Sequence, residues 1–298
     1  MAGTFLIVFE GFERVRVDTG EATINAVHGG TGPPVLLLHG FPQTSAMWHR
    51  VAPALARRHT VVAADLRGYG DSARPPAGAD HAAYSFRAMA ADQVALMRSL
   101  GHERFAVVGH DRGARVTHRM ALDSPDAVTR LAVLDILPTL HVYTHVDRQL
   151  ATAYYHWFLY IQPFDVPERL IAGDPIGYLH TILGRFGGRV DAFAPEAVAE
   201  YERVFADPDA RHAMMEDYRA GASIDLEHDR ADAGRRLEAP LLAMWGTRGV
   251  VGRGPDNPVA VWREHATDVS GVGLDAGHYL VEERPDEALA AIERFLDA

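Results

Sequence analysis

Gly109-His110-Asp111-Arg112-Gly113 ends an apolar run and opens a helical pattern. It has the form G-x-D-x-G. In the related G-x-S-x-G turn a serine sits on a sharp strand-to-helix bend, its oxygen exposed above a sheet. Here an aspartate holds that place. A serine would attack acyl carbonyls. A carboxylate suits an sp3 carbon bearing a leaving group, and forms an ester that water must then cleave. That narrows the reaction to halide displacement or epoxide opening. The competing reading of Asp111 is a helix N-cap, a position aspartate favours.

His278 lies in Asp275-Ala276-Gly277-His278-Tyr279, a loop before a terminal helical pattern. It meets the chain order such a site needs, nucleophile first and histidine last. A third residue must orient the imidazole. Asp135 ends the apolar run Leu131–Leu134, one crossover after Asp111. The other usual place, after the next strand, reads Trp245-Gly246-Thr247-Arg248-Gly249-Val250 and has no carboxylate, and Asp256 comes late. Asp135 is therefore the expected partner. Ester cleavage passes through an oxyanion, and the elbow assigns its backbone donors. These are the N–H groups of Arg112 and, from the loop His39-Gly40-Phe41-Pro42, of Phe41. Arg112 directly follows the nucleophile, which places it at the pocket mouth, and Arg115, four residues beyond Asp111, lies on the same helix face as Asp111. Two guanidinium groups there suit the carboxylate of an anionic substrate; the alternative is an ordinary Asp–Arg surface pair.

The elements that must position these groups alternate. Val35–Leu38, Val61–Ala64, Phe105–Val108, Leu131–Leu134 and Leu241–Met244 are short apolar runs, as in strands buried on both faces of a parallel sheet. Helical patterns cover Met47–Arg57, Phe86–Leu100, Arg112–Leu122 and Pro285–Leu296. The expected class is α/β, a mostly parallel doubly wound sheet, with an antiparallel edge from Arg14–Val17 and Ala22–Val27. Alternation stops after Leu134 and resumes at Leu241. The aromatic, helix-like stretch between reads as an inserted cap over the carboxyl ends of the strands, where ligands bind in open α/β sheets. The expected domains are a core of 1–139 and 224–298 and a helical cap of 140–223.

The 298 residues carry a formal net charge of −11, which argues against nucleic acid and anionic membranes as partners. An anionic substrate must then be held by local arginines, which screening over about 10 Å allows. The absence of cysteine excludes disulfides and thiolate metal ligands and fits a reducing, cytoplasmic setting. Met1–Val8 is too short for the apolar region of a signal peptide, and no apolar run approaches the roughly 20 residues that cross a bilayer.

On these motifs the chain resembles the fluoroacetate (haloacetate) dehalogenases of the α/β-hydrolase superfamily. His39-Gly40-Phe41-Pro42 is shared widely; His110-Asp111-Arg112-Gly113-Ala114-Arg115 with Tyr155-His156-Trp157 is more specific, and Glu216-Asp217-Tyr218 and Gly277-His278-Tyr279 also match. The resemblance implies that Asp111, His278 and Asp135 form a triad and that Arg112 and Arg115 hold the acid group. It implies that His156, Trp157 and Tyr218 bind the departing halide, and that the protein is a homodimer. Each of those three side chains can donate a hydrogen bond; without the resemblance, aromatic packing is the more usual fate of such a cluster. Where the family often has a further cap tryptophan, this chain has Phe186.

The expected substrate is a small haloacid, and no cofactor or metal is called for. The nearest rival is an epoxide hydrolase using the same nucleophile and base, with Tyr154, Tyr155 and Tyr218 available to protonate the opening ring. Such enzymes typically place tryptophan after the nucleophile, where this chain has Arg112. A buried cation there suits an anion and is costly beside a neutral substrate. A binding protein on the same scaffold would be expected to lack a triad member, and all three are present.

Overall fold

The structure, a computed structural model, describes residues 9–187 and 190–298; Met1–Val8 lies outside them. Eight strands form one sheet: β1 (Glu13–Asp18), β2 (Thr23–Gly29), β3 (Pro34–Leu38), β4 (Thr60–Ala64), β5 (Phe105–His110), β6 (Val128–Leu134), β7 (Leu241–Gly246) and β8 (Val269–Leu274). Their order is β1-β2-β4-β3-β5-β6-β7-β8. Only β2 runs antiparallel to its neighbours; the other pairings are parallel. Every residue of β5 is buried, as its unbroken apolar run requires of a strand covered on both faces. Because these strands share a direction, their carboxyl ends lie along one edge. That edge receives Gly40 after β3, Asp111 after β5, Asp135 after β6 and His278 in the loop after β8.

Two expectations change. The pattern Met47–Arg57 is not one helix but a 3-10 turn, Ser45–Trp48, and a short helix, Ala52–Leu55. Pro53 lacks an N–H and fits only a first helical turn, so the helix must restart there. The edge strand β8 has no apolar run in the sequence. Gly271 and Gly273 interrupt it, and much of it is exposed.

Between β6 and β7 the chain builds helices from Thr139–Thr144 through Ile224–Ala231. Three arginines fix how this insert meets the sheet. Arg112, Arg115 and Arg119 fall at i, i+3 and i+7 of the helix Arg112–Asp123, hence on one face, and all three are buried. Arg119 binds Asp229 at 3.0 Å and also Asp232, beside the helix Ile224–Ala231. Arg112 binds Asp217 of the helix Pro208–Gly221. Arg115 reaches the Leu137 carbonyl at 3.1 Å and the Thr139 hydroxyl at 2.9 Å. The face that would repel apolar packing is thus the face that grips the insert.

The elbow is held by close backbone crossing. A Cβ on Gly113 would overlap the His39 carbonyl oxygen, and one on Gly109 would overlap the Thr117 hydroxyl. Gly113→Ala should destabilise the protein by about 1–3 kcal/mol, the usual range for overpacking a tight contact. Urea unfolding checks this; unchanged stability would show that the helix can slide off β3.

Candidate active site

Asp111 sits at φ 44°, ψ −113°, a conformation that L side chains rarely adopt. Its carboxylate makes no helix-capping hydrogen bond, so the N-cap reading fails. Instead Oδ2 accepts from the Phe41 N–H at 3.1 Å. A Cβ on Gly40 would overlap the Asp111 Cβ, so glycine is what lets the two loops touch. The Arg112 N–H, first in its helix, has no intrahelical acceptor by geometry.

His278 joins the two strand ends. Its Nδ1 is 2.6 Å from Asp135 Oδ2, and Asp135 Oδ1 accepts from the Gly246 N–H at 2.9 Å. The His278 Nε2 lies 4.0 Å from Asp111 Oδ1, too far for a direct hydrogen bond. Asp256 goes elsewhere, 3.1 Å from His141. Burial pushes the His278 pKa down, but the hydrogen bond and charge of Asp135, with the charges of Asp111 and Glu283, outweigh it and raise it. Burial pushes Asp111 up, but His278, His110, Arg115 and Arg112 together hold it below the usual carboxylate value. Asp111 is therefore ionised at neutral pH.

The two arginines differ. Arg112 is buried rather than open at a pocket mouth: Nε donates to Asp217 Oδ2 at 2.8 Å, and Nη2 donates to the Asp217 carbonyl at 2.7 Å and to Oδ1. Its guanidinium lies between the rings of Phe86 (4.6 Å) and Tyr218 (4.3 Å). Arg115 forms no ion pair among the described residues. Its buried Nε has no partner there, and its guanidinium lies 4.6 Å over the Trp157 ring. Burial lowers its pKa, against the pull of Asp111.

His156 and Tyr218 pack on Phe41, and Trp157 packs on Tyr218. The Phe41 ring is 5.4 Å from Tyr218 and 6.4 Å from His156. Tyr218 is 6.0 Å from His156 and 6.2 Å from Trp157. Burial drops the His156 pKa to about 3, so the ring is neutral, and its Nδ1 has no partner among the described residues. The structure thus brings every expected site residue into one region. It adds Asp217, to which the sequence assigned no role, and Tyr69, whose hydroxyl donates to Asp217 Oδ2 at 2.7 Å. Nothing local in the sequence gives the partners of either, because both act across more than 100 residues.

A cavity of about 790 Å³ opens between the helices at 139–153, the loop at 248–256 and Arg185-Phe186, and it reaches Asp135 and His278. Tyr154 and Phe186 line it and also pack on His156, at 5.8 and 4.9 Å. Phe186 therefore stands between that cavity and the inner aromatic cluster.

A family profile for the alpha/beta hydrolase fold matches residues 33–249. A fluoroacetate dehalogenase from Burkholderia sp. is 49% identical over 97% of this chain and 95% of its own. A soluble epoxide hydrolase from Corynebacterium sp. (strain C12) is 34% identical over 90% and 92%. The crystal structure of a putative alpha/beta hydrolase from Nostoc sp. PCC 7120 superposes with a TM-score of 0.94 at 54% identity, covering 96% of this chain and 98% of that one. The chain belongs to the α/β-hydrolase family. Within it, the chain belongs with the fluoroacetate dehalogenases.

The charges around His278 predict its titration. Its pKa should lie above 6.5 in the unaltered protein and fall in Asp135→Asn, where burial remains and the partner charge is gone. Histidine NMR across pH reads this directly; an unmoved pKa would contradict the assigned pairing.

Proposed function

We propose that this protein is a hydrolytic haloacetate dehalogenase, converting a haloacetate such as fluoroacetate to glycolate and halide through an ester on Asp111. The observation that carries the reading is an aspartate on the elbow, held by the Phe41 N–H, with a buried arginine, Arg115, on the next helical turn that forms no ion pair among the described residues. A seryl hydrolase lacks the first. A site for a neutral substrate has no use for the second, since an unmatched buried cation is costly.

In the first step Asp111 attacks the carbon bearing the halogen. The C–O bond forms as the carbon–halogen bond breaks, and the halide leaves with the bonding pair. Arg115 and the free Nη1 edge of Arg112 hold the acid group, which fixes the carbon against the carboxylate. His156, Trp157 and Tyr218 donate hydrogen bonds to the halide as its charge develops; fluoride, a poor leaving group and strong acceptor, gains most from them. In the second step His278, oriented by Asp135, takes a proton from water, which attacks the ester carbonyl. The Phe41 and Arg112 N–H groups hold the resulting oxyanion. Collapse releases glycolate and regenerates Asp111, and one proton leaves to solvent. Esterification also removes the Asp111 charge, one of the attractions that keep a proton on His278. The imidazole is therefore a freer base when water must be activated.

The helices over 140–223 serve as the cap that closes this site, on the core of 1–139 and 224–298. We further infer a homodimer and a cytoplasmic setting. The family resemblance and the exposed Phe164 and Leu170 of the cap support the first, and the lack of cysteine supports the second. Among the described residues no helix is long and apolar enough to cross a membrane. Epoxide opening is the weaker reading, because it leaves Arg115 unmatched.

His278→Asn should release a single halide per chain and stop, with a carboxymethyl adduct on Asp111 visible by intact mass and peptide mapping. An unmodified mass after exposure to fluoroacetate or chloroacetate would sink the two-step scheme.

A further inference from the structure

Asp217 is fully buried and sits in the helix Pro208–Gly221 directly over the elbow. It engages three of the five N–H groups of Arg112, through its carboxylate and its own carbonyl. Tyr69 pins the carboxylate from the other side. The planes of Phe86 and Tyr218 fix the guanidinium, and Gly221 makes room for it: a Cβ there would sit 2.9 Å from Nη2. Arg112 is thus an electrically cancelled, rigid donor. Arg115, one helical turn on, donates to the neutral oxygens of Leu137 and Thr139 and lies over the Trp157 ring, with no ion pair among the described residues.

That difference bears on the nucleophile. Arg112 follows Asp111 in the chain. An unmatched guanidinium there would be drawn to the nearest carboxylate in a low-dielectric site. A carboxylate whose lone pairs are occupied by guanidinium N–H groups is a weak nucleophile.

Resting on the dehalogenase reading above, we propose that Asp217 is a positioning residue that keeps Arg112 off Asp111, leaving Arg115, which forms no ion pair among the described residues, to attract the substrate acid.

The test compares Asp217→Asn, Arg112→Gln and the double variant in rapid-quench reactions with chloroacetate, reading ester formation by intact mass alongside steady-state KM. Asp217→Asn should slow ester formation by about tenfold or more with KM unchanged or lower, a split that a loss of packing alone would not give. The double variant, which removes both buried charges, should form ester faster than either single variant. If Asp217→Asn does not fold, the comparison of the double variant with Arg112→Gln carries the test. Wild-type ester formation in Asp217→Asn, a loss matched by a rise in KM, or a double variant that is unfolded or no faster would overturn the proposal. Absence of halide release by the unaltered enzyme would instead defeat the dehalogenase reading itself.

Discussion

A buried guanidinium needs a matching negative charge or a full set of acceptors, and three of them on one helix face organise this molecule. Arg119 finds Asp229 and Asp232, and Arg112 finds Asp217. Those pairs join the sheet to the helices inserted after β6, so the insert cannot sit elsewhere without stranding charge. Arg115 finds neutral oxygens and the face of Trp157. Among the described residues that positive charge is left without an ion pair near Asp111, in a molecule whose net charge is strongly negative. The same stripe therefore anchors the insert and polarises what lies beneath it.

The work divides between the two layers. Strand ends hold the groups proposed to make and break bonds, and the insert holds the aromatic groups around them. Asp111 and Asp135 both carry positive φ, at 44° and 54°, where each strand turns out of the sheet. Such conformations cost about 1–3 kcal/mol each and persist only where the surroundings over-determine them. The Phe41 and Gly246 N–H groups supply that constraint, each binding one of the two carboxylates. The two are strained for the same reason: a side chain at the end of a parallel strand must be turned outward to face a ligand.

Much of this was legible from the chain. The elbow, Asp135 and His278 follow from local rules, since a parallel strand, its following turn and their order are written in consecutive residues. Phe41 and Arg115 follow from spacing. Asp217 was not legible as a partner of Arg112, because the contact spans 105 positions and an aspartate inside a helix looks like solvent-facing charge. For the same reason Arg112 read as open at the pocket mouth, although its charge is already cancelled. Strand β8 escaped notice because two glycines break its pattern, and the proposed helix at Met47–Arg57 ignored the restart that Pro53 imposes.

The central claim is that Arg115 reads the acid group while Asp111 attacks the neighbouring carbon. The most direct measurement is the ratio of kcat/KM for chloroacetate to that for chloroacetamide, which share a leaving group and nearly a shape but differ in charge. The chain has no cysteine for the amide to alkylate, so turnover reports the site. The account predicts that the acid is favoured by about a thousandfold or more, and that Arg115→Met collapses the ratio. Comparable turnover of the amide, or a ratio untouched by Arg115→Met, would contradict it.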